Sequence, residues 1–104
     1  SYSAATDDEV VMLQQMYSRH AVMLDFLVSV SDTNTMTLRI TSGLDGDRFN
    51  PLFSSLVKAK FIKLSGQSVF PTPKFRQAMS KLDKAFRTDT GVMTTDSSLN
   101  ITIK

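Results

Sequence analysis

Four polar side chains, Asn50, Ser54, Ser55 and Lys58, fall one and two helical turns apart in a stretch whose apolar residues also recur at helical spacing. Amides, hydroxyls and an ammonium group in that pattern donate and accept hydrogen bonds along one edge. They lack a proton relay or an activated nucleophile, so the chemistry they suit is hydrogen-bonded recognition of a partner rather than catalysis. The surrounding charge is strongly sorted. Arg48, Lys58, Lys60, Lys63, Lys74, Arg76, Lys81, Lys84 and Arg87 face Asp83 alone as a carboxylate between residues 48 and 87. Residues 1–47 instead set Arg19 and Arg39 against Asp7, Asp8, Glu9, Asp25, Asp32, Asp45 and Asp47. A formal net charge of +2 conceals this division. Such a block implies a surface turned toward a polyanion, or else a solvated basic face whose partners lie in the acidic half.

Catalytic and metal chemistry find little support. The chain has no cysteine, which excludes disulfides and thiolate chemistry, and its one histidine, His20, cannot form a histidine cluster. No nucleophile-elbow sequence accompanies His20, which is expected on a partly exposed helix face. Asp45-Gly46-Asp47 lacks the spacing and distal glutamate of a calcium loop and reads as a turn. Asp7, Asp8 and Glu9 are consecutive at a helix start, where they complement the dipole. No glycine-rich phosphate loop occurs, and Asn100-Ile101-Thr102 is a chance sequon in a chain with no visible secretion signal. Met16, Met23, Met36 and Met79 stand at apolar positions as core filler. The expectation is therefore no catalytic residue, no metal, no cofactor and no enzyme.

The elements that must position the recognition residues follow from composition and periodicity. With 104 residues, 41% hydrophobic and 21% charged, the chain is expected to form one domain around one core. Ala21 to Val30 is its longest apolar stretch, interrupted by Asp25 and too short to span a bilayer. Thr6 and Glu9 predict a capping box and a helix from about Asp7, with a break or kink at Ser18-Arg19-His20. Ser31 to Asn34 reads as a loop, and Thr35 to Leu44 as a short extended piece followed by a helix ending at Gly43. Asn50 as cap and Pro51 as first residue predict the next helix, running to about Lys60. Phe61 to Leu64 and Val69 to Pro71 predict a hairpin turning at Gly66, with Leu64 opposite Val69. Thr72-Pro73 opens a closing helix with Phe75, Met79, Leu82 and Phe86 on one stripe and Lys74, Arg76, Lys81, Lys84 and Arg87 opposite. The tail over 88–104, with alternating Leu99, Ile101 and Ile103, reads as a strand or a hairpin around Asp96-Ser97.

Leu56-Val57-Lys58-Ala59-Lys60-Phe61-Ile62 resembles the end of the recognition helix and first wing strand of MarR-like and ArsR-like regulators. Ser68-Val69-Phe70-Pro71-Thr72-Pro73-Lys74-Phe75 is similar to their second wing strand running into a capped helix. Lys60 departs from the pattern, standing where a glycine often turns helix into strand, and the wing lacks an Asp-Arg pair. The resemblance implies an α+β, mostly α fold: a winged helix-turn-helix with a two-stranded wing, an extra N-terminal helix and a C-terminal strand-like tail, as one domain over 1–104 with its core at 18–87.

It further implies a small dimeric regulator that binds duplex DNA, with Asn50, Ser54, Ser55 and Lys58 in the groove. Lys63, Gln67 and Ser68 would serve the wing, and Arg48 and Lys60 would meet phosphates, as would the free N–H groups of a helix starting at Asn50. Val10, Leu13 and Tyr17, or Phe75, Met79, Leu82 and Phe86, are the candidate dimer contacts. Such a protein is expected in the cytoplasm or nucleoid, or in the nucleus of a eukaryote, and not in a membrane. Two rival readings share the fold or the charge. One is a winged-helix protein-interaction module whose tail augments a partner sheet. The other is RNA binding through Lys74 to Arg87.

Overall fold

A computed structural model describes residues 4–90, with side chains through Leu82. Helix α1 spans Asp7–Ser29 and starts as its capping box dictates: Glu9 N donates to the Thr6 hydroxyl at 3.2 Å, and Thr6 N donates to Glu9 Oε1 at 2.9 Å. The expected break falls at His20, whose φ of −132° and ψ of 41° are non-helical. Tyr17 Oη donates to Asp25 Oδ2 at 3.2 Å, tying the two halves across the kink. Residues on both sides of it, from Leu13 to Leu27, enter the same core, so the N-terminal part is integral to the domain.

Thr33–Asn34, expected in a loop, forms the short strand β1. Asn34 Oδ1 then accepts from Thr37 N at 2.8 Å and caps α2, Thr35–Ser42, which Gly43 terminates at φ 71°. Helix α3 spans Gly46–Lys58. Its start corrects the sequence expectation, because Asp45 is the cap and Asn50 and Pro51 lie more than a turn inside. The Asp45 carboxylate accepts from Arg48 N at 3.0 Å, so an earlier and stronger acceptor wins over Asn50. Strands β2, Ile62–Ser65, and β3, Ser68–Pro71, form the expected hairpin in the expected register, Leu64 opposite Val69. Gly66 takes φ 62° at the first turn position, a conformation that suits glycine and the twist of a two-residue hairpin. β3 is central in an antiparallel sheet ordered β1-β3-β2. Helix α4, Pro73–Thr90, closes the order.

The architecture is therefore α+β and mostly helical, with one small antiparallel sheet. Its core combines Leu13, Met23, Leu24 and Leu27 of α1 with Leu38, Phe49, Leu56, Phe61, Val69, Phe75 and Leu82. Four of the seven residues expected at a dimer contact are engaged in this core. Leu13, Phe75, Met79 and Leu82 are buried within the single chain, while Val10 and Tyr17 are half-buried. The Phe86 side chain and the tail over 91–104 lie outside the described residues. Among the described residues no helix is long and apolar enough to cross a membrane.

Two cations of the supposed basic face of α4 are committed to holding the fold. Lys74 Nζ donates to Glu9 Oε2 at 3.0 Å and to the Ala59 carbonyl at 2.6 Å, and it lies 5.5 Å from the centre of the Phe61 ring. The Arg76 guanidinium donates to the Val28 and Val30 carbonyls, both at 2.7 Å, supplying the cation that the last turn of α1 lacks.

Lys60 adopts φ 63°, which is strained for a residue with a Cβ. Lys60→Gly should raise stability by about 0.5–1 kcal/mol in urea unfolding, and Lys60→Val should lower it by about 1 kcal/mol. The Thr6 backbone N–H and then the Lys74 ammonium hold the Glu9 carboxyl below its ordinary 4.5. A depressed folded value stabilises fully above 4.5, and the contribution disappears as pH falls through the folded value. Glu9→Gln should therefore melt below wild type at neutral pH and converge with it in acid, as followed by thermal unfolding.

Candidate functional site

Burial of Phe49 and Leu56, with Leu52, Phe53 and Val57 packed against the core, fixes which side of α3 faces outward. Phe49 and Phe53 stack with ring centres 5.2 Å apart, which keys the helix rotation. Exposed on the opposite side are Asp47, Asn50, Pro51, Ser54 and Lys58, a stripe at intervals of three and four residues. The expected recognition residues are thus sorted. Asn50, Ser54 and Lys58 share the exposed face, whereas Ser55 is half-buried and donates its hydroxyl to the Pro51 carbonyl at 3.0 Å. Ser55 is in this way satisfied by its own helix.

Three exposed cations lie within six residues where α3 ends and the hairpin begins, and two of them, Lys60 and Lys63, line one cleft. Lys58 ends the helix, Lys60 sits in the left-handed turn, and Lys63 is on β2; all three are exposed. Between α3 and β2 lies a cleft of about 390 Å³, its floor formed by Val57, Ile62 and Leu64 and its rim by Lys60, Lys63 and Thr72. Gln67 is exposed at the hairpin tip, and its carbonyl accepts from Thr35 N at 3.2 Å. Ser68 is half-buried and lies opposite both Asn34 and Ser65 in the sheet.

Arg48 stands apart from this cluster, ten positions before Lys58 and about 15 Å away along the axis. The start of α3 does not offer the phosphate site expected of it. Asp45 occupies the cap and Asp47 the first turn, so carboxylates already answer the positive end of the dipole and would repel a phosphate there. Positive charge concentrates at the other end of the helix.

Reasoning from the sequence missed Asp47 and Pro51 on the exposed face, because the helix was expected to start after them or at them. It also passed over Leu64 and Phe70, which are exposed on the hairpin. The strand period of two, with Leu64 facing Val69, contains the signal that Phe70 turns outward. Among the described residues no group of acidic or histidine side chains is placed to hold a metal.

No protein-family model, curated protein or solved structure matches the chain. Asn50→Ala and Ser54→Ala, on the exposed face, should change stability by less than about 0.5 kcal/mol. Phe49→Ala should cost about 3–5 kcal/mol. Denaturant titration of the three variants checks this division between the two sides of α3.

Proposed function

We propose that the chain is a winged helix-turn-helix domain that binds duplex DNA, with the outer stripe of α3 entering the major groove and the β2–β3 hairpin lying along the backbone. The observation that carries this reading is the cluster of Lys58, Lys60 and Lys63. These three exposed cations come from consecutive elements, and none is in an ion pair with a described carboxylate. The element order supports it: a strand precedes a pair of helices, a hairpin follows the second of them, and the sheet runs β1-β3-β2.

In this arrangement each of the three lysines neutralises a phosphate, releasing condensed counterions and drawing the domain onto the duplex. The Asn50 amide and the Ser54 hydroxyl reach base edges, where an amide can bond an adenine on two atoms. Acidic Asp45 and Asp47 keep the first turn of α3 away from phosphates, so the C-terminal half of the helix and the hairpin make the backbone contacts. Regulation of transcription, and a place in the nucleoid or nucleus, belong to this proposal. A second copy would have to use surfaces other than the stripes buried in the core.

One observation favours a second reading, that of a protein-interaction module. Met36, expected as core filler but turned outward, and Ile40 lie one turn apart on α2 and are 66% and 67% exposed, an apolar pair that a partner protein would cover. The two readings separate on salt. Lys58→Glu combined with Lys63→Glu should abolish a gel shift of duplex DNA at low salt while leaving the melting temperature within a few degrees of wild type. The wild type should lose affinity with log salt at a slope of about −0.9 for each phosphate contacted. A gel shift unchanged by the double substitution rejects the assignment.

A further inference from the structure

We propose that the outer face of the hairpin is a stacking platform for an unpaired base, so that the preferred ligand is duplex DNA carrying a single-stranded overhang. This rests on the DNA reading above and names its substrate more closely. Directly opposed residues of an antiparallel ladder point to the same side. Ile62 faces Pro71 and Leu64 faces Val69, and of these Ile62, Val69 and Pro71 are buried. The other side of the sheet therefore presents Lys63 opposite Phe70, and Ser65 opposite Ser68, with Asn34 of β1 alongside.

Phe70 is 39% exposed on this side, the most open aromatic ring among the described residues. An aromatic ring open to water on a sheet face is what a nucleobase stacks on, and any base serves because each has a π face. Lys63 is its direct cross-strand neighbour, with Cβ atoms about 5 Å apart. Its ammonium can therefore meet the phosphate of the nucleotide whose base covers the ring. Asn34 uses its amide oxygen to cap α2, which leaves its NH₂ donors for the edge of the same base. Lys63 also lines the cleft beside β2 together with Lys60, so further positive charge lies next to the platform. Charge and aromatic surface together select a nucleic-acid strand with an accessible base, which a fully paired duplex does not offer.

The test uses the full chain and two labelled DNAs, a blunt duplex and the same duplex with a short oligothymidine overhang, read by fluorescence anisotropy. The wild type should bind the overhang form about tenfold more tightly. Phe70→Ala should lose that preference and keep its blunt-duplex affinity. Phe70→Trp introduces the sole tryptophan of the chain, should keep the preference, and should show emission quenched by the overhang DNA but not by the blunt duplex.

Equal binding of both DNAs by the wild type, or a preference that survives Phe70→Ala, overturns the stacking site while leaving the duplex reading intact. Binding of neither DNA overturns both. Binding of the overhang form alone supports the stacking site and rejects duplex recognition. Tryptophan emission unmoved by the overhang shows that no base stacks on this ring, which also overturns the proposal.

Discussion

The relation between α3 and the hairpin depends on a knot of hydrogen bonds at their junction. The Thr72 hydroxyl donates to the Lys60 carbonyl at 2.7 Å and lies 3.2 Å from that of Phe61, while accepting from Phe75 N at 3.3 Å. Thr72 N donates to the Phe61 carbonyl at 3.0 Å, and Lys74 binds the Ala59 carbonyl. Two residues at the head of α4 thereby satisfy three consecutive carbonyls that leave α3. A lysine is held in a backbone conformation that glycine would take more readily, because the surrounding bonds over-determine it. Phe61 and Phe75, with ring centres 6.0 Å apart, seal the same junction from inside.

The ends of the chain's helices are tied by residues distant in sequence. Glu9 at the start of α1 holds Lys74, and Arg76, two residues on, holds the carbonyls at the end of α1. Helix α4 thus clasps α1 at both ends, over a kink at His20 that breaks the regular ladder. The Lys74–Glu9 pair is partly buried and the Arg76 bonds are exposed, so these charge-assisted bonds fix geometry more than they add stability, part of their attraction offsetting lost hydration. For the lysine cluster the consequence is positional: Lys58, Lys60 and Lys63 sit around a rigid corner.

Much of this was legible in the sequence wherever a local device decides the structure. The Thr6–Glu9 box, the His20 break, Gly43, the Gly66 turn with its register and the Thr72-Pro73 start each rest on a few neighbouring residues. The start of α3 was not legible, because Asp45-Gly46-Asp47 is equally good as a turn and as a cap, and the burial of Phe49 tips the balance. β1 is too short to carry a pattern of its own and exists through pairing with β3. In the candidate site, the exposure of Asn50, Ser54 and Lys58 follows from the apolar face. The commitments of Ser55, Lys74 and Arg76 do not, since composition cannot tell a free cation from one bonded to a carbonyl far along the chain.

Helix α3 carries Asp45 and Asp47, partly offset by Arg48, at one end and Lys58 and Lys60 at the other, about 20 Å away. The fixed charges oppose the helix's own backbone dipole and exceed it, giving this segment an electric moment that points toward the hairpin. In the field around any highly negative body the molecule experiences a torque before it makes contact. The contribution of α3 to that torque turns the corner of the helix toward the negative body.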